Sequence, residues 1–552
     1  MFSLRWLVFS CLGFLVFVWA QVFPSLETLV ATPDDHRVMD RAIARDRALA
    51  FAENRLGVSP ADVAKVDLTH FSDSDAVGYF SKYKLKDEYD QSWDERFPTD
   101  VYRADIRLAS GGWVQVSLQM ETGKLVAWKR IGGAAAGASS NPERDAAGML
   151  AQWGYDLADW EPVGTVATDR ATVFQSRKAP IGEAKLQLLV KPGEELGYRI
   201  VLPASFLESI HAQERLATRL SMLGYIVPEI VLFVLAVVYA ASYGSFTSFK
   251  RGRLLAALYF VLYVLFTLNM TAGLRSKSET GLPVSGQSVQ SLIVVNAVIL
   301  GATALLSYFA AVGGDGLWRS MGFSLWPRWR EADYGRRVLR SVRQGYALAF
   351  IVLGAQSVIL IALEKLLGSF TSSDASQSSY NLAYPWLMPL IAWCAGISEE
   401  LLYRLFGIAL FRRWLTGAAR LLLRREPSRR TTAALTFAAM IPPSVIWAFG
   451  HVGYPIYPVY SRLIELTLLG LLFGWFMLRF GLMAAIFTHV TLDATLVGTQ
   501  LLFDGLPYDW LSGLFSIAMP ALAGGAIWLL HRSSRAAGGR HGSPDRLEPP
   551  PA

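Results

Sequence analysis

The chain has 552 residues, of which 53% are hydrophobic and only 18% charged, with a formal net charge of +7. A soluble domain carries about 25% charged residues, so this balance excludes a wholly soluble globular protein, and the length argues for two parts. The positive charge does not argue for a nucleic acid partner, because it lies in short blocks between apolar runs, as in the cytoplasmic loops of a membrane protein. The only two cysteines, Cys11 and Cys394, lie far apart in separate apolar runs, which excludes a disulfide framework or a thiolate zinc site.

The first element, Trp6 to Ala20, is an apolar run behind Arg5. It lacks a small-x-small cleavage site before Gln21, so residues 1–24 are expected to be an uncleaved transmembrane anchor. From 25 to 220 no stretch is apolar enough to span a bilayer. Alternation over Tyr102–Leu108 and over Trp113–Gln119 predicts half-buried strands, with Gly111-Gly112 as the turn between them and Thr122-Gly123-Lys124 as a second turn. A weak internal repeat runs helix then sheet over 38–131 and again over 142–205, joined by a Gly-, Ala- and Ser-rich linker at 132–141. That pattern resembles paired PepSY-like modules; a generic α+β extracytoplasmic domain fits it equally.

After 220 the apolar runs 222–243, 254–273, 289–312, 344–367, 383–411, 431–451, 460–480, 481–505 and 509–530 each have the roughly 20 residues a spanning helix needs. With the anchor they predict a multi-span α-helical membrane protein of about ten transmembrane helices. Seven arginines fall between 319 and 343 and seven more between 412 and 430, whereas 368–382 has no Lys or Arg. This bias puts the N-terminus, the arginine blocks and the tail 532–552 in the cytoplasm and 25–220 outside. Trp318, Met321, Phe323, Leu325 and Trp326 alternate with Arg319, Arg328 and Arg330, which predicts an interfacial segment within 313–343, among the transmembrane helices of 221–380. The Gly-, Arg- and Pro-rich tail from Ser533 reads as disordered.

Ionisable groups inside spans are expensive and are candidates for function. They concentrate in 381–531. Glu399, Glu400 and Arg404 lie in one span; Glu400 and Arg404 are four apart and can neutralise each other, while Glu399 projects about 100° away around the helix. His451 ends the run Trp447-Ala-Phe-Gly-His, and His489 shares a helix face with Asp493 four residues on, where the carboxylate can share a metal with the imidazole or fix its tautomer and orientation. Taken singly, each has a structural explanation: an ion pair, an interfacial histidine, an intrahelical hydrogen bond. Their conjunction in three nearby spans is what points to chemistry.

Glu-Glu-x-x-x-Arg, then aromatic-x-x-x-His, then His-x-x-x-Asp is similar to the three signature motifs of the CPBP family, which includes type II CAAX prenyl endopeptidases and bacteriocin-processing or immunity proteins. The resemblance covers roughly 385–505 and marks 381–531 as a CPBP-like intramembrane protease domain. It implies Glu399 as the catalytic glutamate, His451 and His489 as the other essential residues, and Glu400 and Arg404 as their support. Trp447 stands where the family usually has Phe, and Asp493 where Asn is common.

The expectation is a membrane-embedded endopeptidase of metallo- or glutamate type that cuts peptide or protein substrates among membrane lipids. A base activates water and a second group stabilises the oxyanion. In the alternative metal form, Glu399, His451, His489 and Asp493 are the candidate ligands of a divalent metal such as zinc, since His₂Glu is a known catalytic set. The rival readings are a catalytically silent scaffold or sensor, and a proton-coupled transporter; no inverted repeat favours transport. The Arg- and Ala-rich composition points to a bacterial inner membrane.

Overall fold

The computed structural model describes residues 4–26, 37–132, 141–165, 171–276 and 286–539. Most of the expected 132–141 linker and residues 540–552 of the tail lie outside them.

Residues 37–201 form one eight-stranded antiparallel sheet in the order β1-β2-β3-β4-β8-β7-β6-β5. The strands are β1 Val63–Ser72, β2 Asp100–Leu108, β3 Trp113–Gln119, β4 Leu125–Ile131, β5 Trp160–Thr165, β6 Thr172–Ser176, β7 Lys185–Lys191 and β8 Glu195–Val201. Alternation in the sequence fixes the register: Tyr102, Ala104 and Ile106 face Leu118, Val116 and Val114 across β2–β3, and all six are buried. The β2–β3 turn needs glycine, because Gly111 and Gly112 have φ of 102° and 85°. Each half places a helix ahead of its strands, Arg41–Leu56 in the first and Pro142–Gln152 in the second. Ala44, Ala48 and Ala52 let the first helix lie close to the sheet; Ala146, Met149 and Leu150 seat the other. The halves join where β4 pairs with β8, at Trp128–Leu196 and Lys129–Glu195.

Among the described residues nine helices are long and apolar enough to cross a membrane: Leu4–Leu26, Ala204–Ser242, Arg251–Asn269, Ser288–Ser320, Tyr334–Leu367, Arg429–Phe449, Tyr460–Phe480, Leu482–Phe503 and Asp509–Ala536. The protein is thus a multi-span α-helical membrane protein with an α+β domain. The tenth expected span, 383–411, is different in kind. Its helix starts at Leu390, changes to π geometry over Glu400–Gly407 and resumes from Ile408 to Leu423. Glu399, Glu400 and Arg404 make it too polar to count as a simple apolar span.

Three further differences have physical causes. The helix Ala204–Ser242 has no break at 220: Phe206, Ile210 and Ala217 pack into the sheet domain before the chain enters the apolar part. Trp318 is buried rather than interfacial, because the preceding span continues to Ser320 and the Trp318 indole N–H donates to the Leu405 carbonyl at 2.8 Å. The last helix runs on to Gly539, past the expected start of a disordered tail.

The sheet domain is bound to one end of the helical bundle. Asn381 accepts the His70 backbone N–H at 2.8 Å, Arg275 pairs with Asp67 at 3.0 Å, and the Val459 N–H donates to Gln213 at 3.0 Å. Val452, Tyr457 and Val459, from the loop after the span Arg429–Phe449, are part of the sheet domain's hydrophobic core.

Candidate active site

The six residues singled out in the sequence come together near that end of the bundle. Glu399 closes the α-helical stretch Leu390–Glu399, and the π turn begins at Glu400. A π segment adds a residue to the turn, so two adjacent glutamates serve different neighbours. His489 and Asp493 lie on the helix Leu482–Phe503, which can approach because Gly396 has no side chain: a Cβ there would stand 2.5 Å from Val490 Cγ2. His451 follows the short helix Ile441–Phe449. That helix is drawn against Tyr460–Phe480 at Gly470, where a Cβ would meet Ser444 at 2.8 Å.

Glu399 is the centre. Its Oε1 is 3.9 Å from His451 Nε2 and its Oε2 is 3.8 Å from His489 Nε2. The Trp447 indole N–H donates to Oε2 and fixes the carboxylate. Each imidazole is oriented from behind through Nδ1: that of His451 donates to the Trp447 carbonyl at 2.9 Å, and that of His489 to Glu400 at 2.9 Å. The Trp447 carbonyl can only accept, so neutral His451 turns an Nε2 lone pair towards Glu399, whereas His489, with Glu400 behind it and Glu399 and Asp493 in front, can present an N–H from Nε2 as well. Asp493 Oδ2 lies 3.5 Å from His489 Nε2.

Glu400 and Arg404 are fully buried behind this front. They are 3.4 Å apart, an ion pair rather than a close hydrogen bond. The expected Glu400–Arg404 pairing is therefore present, but the closest partner of Glu400 is His489. That corrects the expectation that Asp493 would fix this imidazole: the carboxylate behind the ring is Glu400, and Asp493 stands on its front side. Phe473 stacks on His489 with centroids 4.8 Å apart, and the Arg404 guanidinium lies 4.2 Å from the centroid of Trp447.

Glu399, His451, His489 and Asp493 face one cavity of about 580 Å³ that reaches between the helices Ala204–Ser242, Arg251–Asn269 and Ser288–Ser320. Tyr225, Glu229 and Arg462 also line it. These three were missed in the sequence. Glu229 had a signal, being a carboxylate within the apolar run 222–243, whereas Tyr225 had none that composition could supply.

The donor chemistry suits a divalent metal, but the side chains are not drawn into a cage. Among the described residues no group of three or more His, Cys, Asp or Glu side chains comes together so as to hold a metal ion. The candidate ligand set Glu399, His451, His489 and Asp493 shares a cavity without forming a cage, and no chemical step is assigned to a metal here.

A polytopic membrane protein with a Glu/His cluster facing an internal cavity is the class that fold and site define. Residues 381–495 match the family described as type II CAAX prenyl endopeptidase Rce1-like, and to that family the membrane region is similar through this segment. The matched segment contains Glu399, Glu400, Arg404, His451, His489 and Asp493. The PepSY-like resemblance of the sheet domain rests on its helix-then-sheet pattern alone. Neither the comparison with curated proteins nor that with solved structures gave a match.

Proposed function

We propose that the protein is an intramembrane endopeptidase of the CAAX-protease type, in which Glu399 activates water for attack on a peptide bond. One observation carries this reading: Glu399 stands between two histidine Nε2 atoms at 3.8–3.9 Å, too far for direct hydrogen bonds and wide enough for a small reactant between them.

In this mechanism Glu399 takes a proton from water while the water oxygen attacks the carbonyl carbon. His451, on the same side of the carboxylate, holds that water. His489, backed by Glu400 and faced by Asp493, polarises the carbonyl and stabilises the oxyanion. Collapse of the tetrahedral species breaks the C–N bond, and the proton on Glu399 passes to the leaving amine. The Trp447 N–H keeps the carboxylate aimed throughout. Substrates are peptides or proteins presented at a lipid bilayer, and the arginine blocks fit a bacterial inner membrane with the sheet domain outside.

The reading is tested by turnover of the purified full-length protein against Glu399→Gln, with cleavage products identified by mass spectrometry. Wild-type cleavage that disappears in the variant supports it; equal cleavage by both ends it. Elemental analysis addresses the metal. The expected result is less than one metal per chain and activity that survives exhaustive chelation. One tightly bound zinc per chain would restore the metal form.

A further inference from the structure

The cavity at Glu399 has a neighbour. A groove of about 630 Å³ runs between the sheet domain and the bundle, walled by the helix Ala204–Ser242 on one side and by the segments 373–376 and 452–459 on the other. Tyr454 lines both spaces. Its ring stacks on that of His451, 5.8 Å between centroids and 12° between planes. Tyr454 and then His451 thus stand between the groove and Glu399.

The lining limits what the groove can take. Ser72, Ser74, Thr218, Ser221, Ser373 and Ser376 give it a wall of hydroxyls; Ser74, Thr218 and Ser376 donate within the protein and Ser72 bonds Ser373, which leaves their oxygens lone pairs to accept peptide N–H groups without regard to side chain. Among the described residues no Lys, Arg or His lines it, so it offers nothing to a phosphate or an anionic lipid headgroup. Its charged residues are Glu214 and Asp374, which favour basic over acidic chains.

The wall formed by 373–376 and 452–459 is fixed. Val452, Tyr457 and Val459 are buried in the sheet-domain core, and the Ser372 N–H donates to the Pro455 carbonyl at 2.8 Å. The two-stranded ladder of Phe370–Thr371 with Ile456–Tyr457 ties the same segments together.

We propose that this groove is the entrance of the protease: an extended, neutral or basic polypeptide segment on the sheet-domain side of the membrane threads through it past Tyr454 to Glu399. The substrate class is thus an unfolded stretch of a protein on that face of the bilayer, not one presented at the end that carries the arginine blocks. The inference rests on the proteolytic reading of Glu399.

The test uses the full-length protein in proteoliposomes. In the Glu399→Gln background a photo-crosslinking residue replaces Thr218 in the groove or Arg429 at the opposite end. The probes are two disordered polypeptides of equal length, one Lys-rich and one Glu-rich. Capture is expected from position 218 and not from 429, with the Lys-rich chain preferred. Equal capture at both positions, no capture at either, or lipid alone at 218 would overturn the proposal. Gly453→Trp gives a second arm in the active protein, because a Cβ there meets open space. It is expected to raise KM for the Lys-rich chain about tenfold with kcat unchanged, as lost binding does; an unchanged KM would also overturn the proposal. Crosslinking reads binding without cleavage, so a wild type that cuts nothing defeats the proteolytic reading while position 218 still decides the groove.

Discussion

Two clusters of buried charge in the membrane region use similar chemistry to opposite ends. In the first, Asp315 Oδ2 accepts from Arg251 at 2.6 Å, from Arg319 at 3.0 Å and from the Thr247 hydroxyl at 2.6 Å. Arg251 Nη2 donates to both the Trp326 and Pro327 carbonyls, at 2.7 and 2.9 Å, with its guanidinium 4.3 Å from the Trp326 ring centroid. The short bonds of this cluster run inward, between its own members. In the second cluster Glu399, His451, His489 and Asp493 face one another at 3.5–3.9 Å. There the short bonds run outward, to Trp447 and Glu400. Both clusters bear the cost of charge in a poorly solvated place, so burial does not distinguish them. The unclosed spacing does: a structural cluster satisfies itself, whereas a site holds its groups apart by means of a surrounding shell.

Substitutions should separate the two clusters cleanly. Glu399→Gln is expected to lower kcat by about 10²–10⁴, the usual contribution of a general base, with the melting temperature nearly unchanged. Asp315→Asn should do the reverse. Two half-buried arginines lose their counter-charge, at a cost towards the lower end of about 3–5 kcal/mol, while the protein that remains folded keeps its kcat. A thermal melt and a turnover assay on each variant provide the comparison, and a fall in kcat per folded Asp315→Asn molecule would break it.

Glu400 lies on the boundary between the two kinds. It is fully buried, with His489 at 2.9 Å and Arg404 at 3.4 Å, yet it orients an imidazole that faces the open side. Glu400→Gln should therefore cost both stability and activity. An activity loss of about 10–100-fold is expected, as for other groups that fix a functional histidine, with KM little changed. Glu400→Ala should lose more than Glu400→Gln, because the amide can still accept from Nδ1. Full activity in Glu400→Gln would make Glu400 a purely structural residue.

The parts of this arrangement legible in the sequence are those that obey a period or a cost. Alternation over Tyr102–Leu108 and Trp113–Gln119 is β2 and β3, because a two-residue period can serve only a pleated, half-buried surface. Charge in an apolar run pointed to Glu399, Glu400, Arg404, His451, His489 and Asp493, because such charge is expensive. What depends on three-dimensional neighbours was not legible. The π turn at Glu400 looks like ordinary helix in sequence. The spacing of four between His489 and Asp493 suggested that Asp493 orients the ring, but Glu400, 89 residues earlier, has that place. Trp318 read as interfacial because aromatic and basic residues alternate there, and its partner Leu405 is 87 residues away.

The smallest expected effect tests whether burial of a carboxylate alone can mimic a site. In the sheet domain, burial pushes the Asp94 carboxyl up to about 7, with Asp90, Glu121 and Asp100 adding like-charge repulsion. Asp73 is pushed up to about 6, again mainly by burial. A folded value above the unfolded one means that the neutral acid is the form the fold prefers. The stability it contributes is complete in acid, below the ordinary carboxylate range, and is lost as pH rises through about 6 to 7. Amide exchange in the full-length protein, corrected for its intrinsic pH dependence, should accordingly be slower across 73–108 at pH 5 than at pH 8. Asp94→Asn removes the charge while keeping an acceptor, so it should raise protection there at pH 8 and raise it less at pH 5. Turnover at Glu399 should be indifferent to the change at either pH. A loss of protection at pH 8 would show that Asp94 has a counter-charge after all, and would place it with the closed, structural cluster at Asp315.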